Sequence, residues 1–137
     1  MATRSAPVRS RTCQSPLARS GDAAGLLARL DWRGDREQVA AVLLDEEMRP
    51  IRTVEVGEGD REGTPVFARR LLGLALAGDA RGLILAHNHP SGVSRPSAAD
   101  LKLTSELARL LRAVDIVLID HLILGVAWLS MRDEGLL

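Results

Sequence analysis

His87 and His89 are two of only three histidines in the 137-residue chain, and a single residue separates them. They follow directly on Gly82-Leu83-Ile84-Leu85-Ala86, a short apolar run that reads as an inner strand. Side chains two apart on a strand point to the same face, so both imidazoles face one way. Asp100 lies eleven positions beyond His89, in the first turn of a helix whose start is marked by Pro96 and Ser97. A strand end, a tight loop and a helix start can therefore meet at one point. Two neutral imidazoles and a carboxylate form a tripod suited to a zinc ion, with the fourth tetrahedral position left for water. Zinc, one carboxylate and one hydroxide sum to zero charge, which a partly buried cleft can accommodate. Cys13 is the only cysteine, so a Cys-rich zinc finger and the His/Cys/Cys set of a nucleobase deaminase are both excluded.

Each signal also has a plainer reading. Ser97-Ala98-Ala99-Asp100 is an S-x-x-D capping box, which by itself accounts for both polar residues as helix-starting chemistry. A lone H-x-H pair is common, and it is the combination with Asp100 that is specific. The letters His87-Asn88-His89 match an HNH nuclease in text only, because that motif holds its His and Asn residues far apart. Asn88 faces away from the two imidazoles and is expected to anchor a loop, while Pro90 and Gly92 shape the turn after the strand. His121, set between Asp120 and Leu122, reads as a structural histidine.

The elements that must position these groups follow from patterning. Residues 1–20, rich in Arg, Ser and Pro and free of acids, read as a disordered basic tail, and residues 21–137 as one folded unit. A short helical patch is expected over Ala23 to Leu30, a buried strand over Gln38 to Asp45, and an alternating strand over Ile51 to Val56. A helix framed by Thr64 as N-cap, Pro65 and Gly78 should bury Phe67, Leu71 and Leu74. A second, from about Ala98 to Ala113, presents Leu103, Leu107, Leu110, Leu111 and Val114. Strands at Ile116 to Gly125 and around Ala127 to Ser130 close the chain. The order β-β-α-β-α-β-β predicts an α/β chain of the α+β kind, with one mixed β-sheet packed by helices.

Composition bounds the rest. Forty-six per cent hydrophobic residues with 2% aromatics require an aliphatic core. Eighteen basic residues balance eighteen acidic ones, and Arg4, Arg9, Arg11 and Arg19 all precede the first acid, so the folded body is mildly acidic. That charge does not support nucleic acid as a partner. No apolar run reaches the roughly 20 residues of a membrane span, and one cysteine fits a reducing compartment, so a soluble, cytoplasmic protein is expected.

The string His87-Asn88-His89-Pro90-Ser91-Gly92, followed by Ser97 and Asp100, matches H-x-H-P-x6-S-x2-D without a gap and resembles the RadC-like branch of the JAB/MPN (JAMM) superfamily. The similarity runs from about Arg36 to Leu137 and includes Arg69 and the Asp120-His121 pair. It implies one JAB/MPN-like domain with His87, His89 and Asp100 as ligands of one zinc ion, Ser97 as oxyanion partner and Glu37 as general base. Glu55 is the competitor for that last role, though a lone strand glutamate more often lines a solvated face. The resemblance implies a zinc metallohydrolase of the peptidase or isopeptidase type, acting on a peptide or protein. Its alternative is a non-catalytic interaction module associated with DNA repair. The helix-hairpin-helix region common at the N-terminus of RadC-like proteins has no counterpart before Arg33, and oligomeric state is not legible.

Overall fold

A computed structural model describes residues 16, 17, 19–58 and 63–137. Among them the chain runs α1 (Ser20–Leu27), β1 (Gln38–Leu44), β2 (Pro50–Glu58), α2 (Gly63–Ala77), β3 (Gly82–Asn88), α3 (Ala98–Ala113), β4 (Val117–Leu124) and β5 (Trp128–Ser130). The expected basic tail falls mostly on residues outside the described ones.

The strands form one mixed sheet in the order β2-β1-β3-β4-β5. Only β3 and β4 run parallel, as the helical connection through α3 requires. β3 is central and buried at every position from Gly82 to Asn88. Period-two alternation divides its side chains between two cores. Leu83 and Leu85 pack with Phe67 and Leu71 of α2 and Leu107 and Leu111 of α3. Ile84 and Ala86 pack on the other face with Ala23, Ala24 and Leu27 of α1. The result is a small α+β domain with helices on both faces of a five-stranded sheet.

Several boundaries differ from expectation for local reasons. α1 begins at Ser20 rather than Ala23, because the Asp22 carboxylate accepts the Arg19 N–H at 3.2 Å and closes the first turn there. β3 continues two residues past Ala86, held by β1 on one side and β4 on the other. The left-handed residue that ends α2 is Asp79 (φ 52°) rather than Gly78. On α3, Val114 is exposed, and the inner stripe instead runs Asp100, Thr104, Leu107, Leu111. A helix that packs by this stripe carries two polar side chains into the interior at its N-terminal end.

The loop after β3 is clasped by the β4–β5 turn. The Leu124 carbonyl accepts the His89 N–H at 2.8 Å, and the Gly92 carbonyl accepts the Val126 N–H at 3.0 Å. Gly92 itself sits at φ 82°, where a side chain is strained. A Cβ on Gly125 would lie 2.8 Å from the Gly92 carbonyl carbon and 3.1 Å from the Ser94 nitrogen, so only glycine permits this approach. Gly125→Ala should therefore push the His89 loop off the turn and cost about 1–3 kcal/mol, as overpacking does, measured by urea denaturation. An unchanged midpoint would show that the clasp is not needed.

Candidate metal centre

The C-terminal end of β3 brings together residues from three elements. His87 is the penultimate residue of the strand and is buried on the α2/α3 face. His89 follows two positions on, Asp100 enters from the first turn of α3, and Glu37 comes from the residue just before β1. The His87 Nε2 lies 2.8 Å from the His89 Nε2, 3.2 Å from the Asp100 Oδ1 and 3.5 Å from the Glu37 Oε1. The His89 Nε2 is 3.1 Å from the Asp100 Oδ2. One ligand atom from each of the four residues lies within 4.8 Å of all the others.

This donor set fits a metal ion. The Val93 carbonyl lies 2.8 Å from the His89 Nδ1 and can only accept, so the neutral His89 ring carries its proton there and turns a lone pair toward the cluster. Two imidazole nitrogens and two carboxylates converging in a largely buried space repel one another unless a cation lies between them. Ligand atoms around tetrahedral zinc lie about 3.3 Å apart, within the spread of separations in the cluster. Zinc, cobalt and other imidazole-favouring divalent ions share this preference, so the donors define a class of ion rather than one element.

Asp100 is held at both ends. Ser97, the N-cap of α3, donates its N–H to the Asp100 Oδ2 at 2.8 Å, and its Oγ accepts the Asp100 N–H at 3.1 Å. The capping box is thus real, and it aims the carboxylate at the imidazoles rather than competing with that role. Burial pushes the Asp100 carboxyl up, but the His87 imidazole and the contacts with Ser97 outweigh burial and hold it well below the usual carboxylate range.

Glu37 owes its position to Asn88. The Asn88 Oδ1 accepts the Gln38 N–H at 2.6 Å, and its Nδ2 donates to the carbonyls of Arg33 (3.1 Å) and Arg36 (3.0 Å). One buried amide thereby clamps the segment on either side of Glu37. Its anchoring target is this segment before β1, not the turn after β3. Glu55 lies elsewhere. It pairs with Ala40 on β2 between the buried Val54 and Val56, so it faces the opposite side of the sheet from His87 and is exposed.

Thr104 and His121 are the residues that sequence reasoning missed as part of the site. His121 is fully buried, with its Nε2 2.6 Å from the His87 Nδ1 and its Nδ1 2.6 Å from the Thr104 Oγ1. Burial, reinforced by the neighbouring His87, pulls its pKa down to about 3. Two signals in the sequence pointed to them: a threonine one turn after Asp100 on the apolar stripe of α3, and a histidine inside the apolar run of β4. Asp120, beside it, accepts the N–H groups of His121 (2.7 Å) and Arg132 (3.0 Å) and the Ser130 hydroxyl (2.5 Å), which ties β4 to β5.

Next to His89 opens an apolar groove of about 530 Å³, and both tryptophans of the chain, Trp32 and Trp128, line it together with Pro90 and Val126. Among the described residues no helix is long and apolar enough to cross a membrane.

The chain is 45% identical over 101 residues to a UPF0758 protein of Acidithiobacillus ferrooxidans, covering 73% of this chain and 45% of that protein. Its identity to a UPF0758 protein of Cellvibrio japonicus is 41% over 101 residues, covering 73% and 45%. To one of Aeromonas hydrophila it is 42% over 90 residues, covering 66% and 40%. The chain thus spans less than half the length of these relatives. The family model of the RadC-like JAB domain matches residues 17–136 and takes in the whole sheet and all four residues of the cluster, so the chain belongs to the RadC-like JAB domain family.

Proposed function

We propose that this chain is a zinc-dependent hydrolase of the JAMM peptidase or isopeptidase type, acting on an amide bond in a peptide or protein. The observation that carries this reading is the convergence of Glu37, His87, His89 and Asp100 on one point. His87, His89 and Asp100 are the ligands in this reading. Glu37 has the longest separation from His87, and its side chain is the most exposed of the four, which suits a group that handles protons.

Zinc bound here would lower the pKa of a coordinated water toward 7 and polarise the scissile carbonyl. Glu37 takes the proton from the attacking water and returns it to the departing amine, so that one water is consumed and one acid and one amine are formed. The Ser97 Oγ accepts the Asp100 N–H and keeps its own proton, which it can donate to the oxyanion. Asn88 keeps Glu37 within reach by holding the Arg33 and Arg36 carbonyls before it and the Gln38 N–H after it. The groove beside His89 suits an apolar stretch of polypeptide, with Trp32 and Trp128 as its walls.

A DNA-binding role finds less support. Arg81 lies within 4 Å of carboxylates on Asp115, Glu46 and Asp79, and Arg70 donates to the Val56 carbonyl. Neither guanidinium is set out as part of a basic surface for phosphates.

Three outcomes are expected. Purified chain loaded with zinc should hold about one ion, and His89→Ala should lose it, measured by elemental analysis after gel filtration. Wild type without stoichiometric metal would refute the reading. Glu37→Gln should retain the ion but cut hydrolysis of a peptide library by about 10²–10⁴-fold, the usual contribution of a general base. A metal-loaded wild type that cleaves nothing, with Glu37→Gln indistinguishable from it, would favour the interaction module. Asn88→Ala removes three part-buried hydrogen bonds, so it should cost about 3 kcal/mol in urea denaturation.

A further inference from the structure

We propose that Thr104 and His121 form a hydrogen-bond relay that fixes the tautomer of His87, so that its Nε2 is offered to a metal ion whether or not one is bound. Both are positioning residues; neither touches substrate. The proposal rests on reading His87 as a zinc ligand, and it concerns residues outside the H-x-H-P-x6-S-x2-D pattern.

The direction of each hydrogen bond follows from what its acceptors can do. The Thr104 hydroxyl has one proton. The Asp100 carbonyl lies 2.7 Å away and can only accept, whereas the nearest competitor, the His121 Nδ1 at 2.6 Å, can donate as well as accept and the Met131 Sδ is a weak acceptor at 3.7 Å, so the proton goes to the carbonyl one turn back along α3. Toward the His121 Nδ1, at 2.6 Å, the Thr104 oxygen can then only accept, and His121 must carry a proton on Nδ1. His121 is fully buried with only a hydroxyl and an imidazole against its nitrogens, so the ring is neutral and its Nε2 holds a lone pair. That lone pair faces the His87 Nδ1 at 2.6 Å, which must therefore donate. A neutral His87 with its proton on Nδ1 turns the Nε2 lone pair toward His89, Asp100 and Glu37.

The relay complements the simpler arrangement at His89, where a backbone carbonyl does the same work. His87 cannot use a carbonyl of its own strand, because it is in the middle of the sheet and its ring points into the α3 face. The relay reaches across instead, from β4 to α3, and ends on the backbone of Asp100 itself. The residue that supplies one ligand thus also terminates the chain of bonds that orients another.

The test uses the full chain, first stripped with chelator and then titrated with zinc. Imidazole ¹⁵N shifts should show His121 protonated on Nδ1 and not on Nε2 in both states. Thr104→Val keeps the volume but deletes the acceptor for the His121 Nδ1–H; the His121 proton should move to Nε2, and zinc should bind about 10–100-fold more weakly by competition with a chromophoric chelator. Thr104→Ser, which restores the hydroxyl, should bind within about threefold of wild type. If Thr104→Val does not fold, Thr104→Ala makes the same deletion. A purely structural role for Thr104 predicts lower unfolding midpoints with the His121 tautomer and zinc affinity unchanged, and that result would overturn the relay. A wild-type His121 protonated on Nε2 would overturn it too, even if zinc binds. Wild type that binds no zinc refutes the hydrolase reading instead, while the His121 tautomer still decides the relay.

Discussion

Four side chains that would repel one another are held at the end of a buried strand, and the rest of the fold is organised around that fact. Two imidazole lone pairs and two carboxylates in a space with little water cost free energy unless a cation joins them. The chain tolerates the arrangement because each group is restrained from behind by a different device. Val93 holds His89, Ser97 holds Asp100, Asn88 holds the segment of Glu37, and His121 holds His87. None of these partners is a flexible surface charge. Two are backbone groups, and the other two are buried side chains with further bonds of their own.

The sheet makes this economical. Because β3 is flanked by β1 and β4, successive residues on it serve separate layers. His87 works on the α3 face, and Asn88, one residue later, works on the face that carries the linker from α1. The parallel pairing of β3 with β4 places His121 beside Leu85, one strand over and on the same face as His87, close enough for their rings to meet. The β4–β5 turn then reaches over the end of β3 and pins the loop that carries His89.

Much of this was legible in the residues. The alternation of apolar strands and amphipathic helices marked the order of elements from β1 onward, and the spacing of His87, His89, Ser97 and Asp100 marked the cluster. What local patterns left open were the contacts that depend on strand order. His121 is 34 residues from His87, and only the parallel neighbour relation joins them, so an apolar run around it looked like core packing. Thr104 was hidden in the same way, since its place on the stripe one turn after Asp100 signals an inward polar group but not which strand residue it meets. Asn88 could be assigned to a loop, but its target, fifty residues earlier, follows from the antiparallel register of β1 on β3. The limits of α1 were misplaced because an aspartate in its first turn, rather than its apolar residues, decides where it starts.

The adjacency of His87 and Asn88 also gives the site a parity. A one-residue slip of β3 against its neighbours would turn every side chain to the opposite face, sending the amide among the α3 groups and the imidazole against the linker. Both halves of the cluster would be lost together, with no graded intermediate. Six residue pairs with β1 and seven with β4 stand against such a slip, so the hydrogen-bonded ladder acts as an error check on the chemistry at its end.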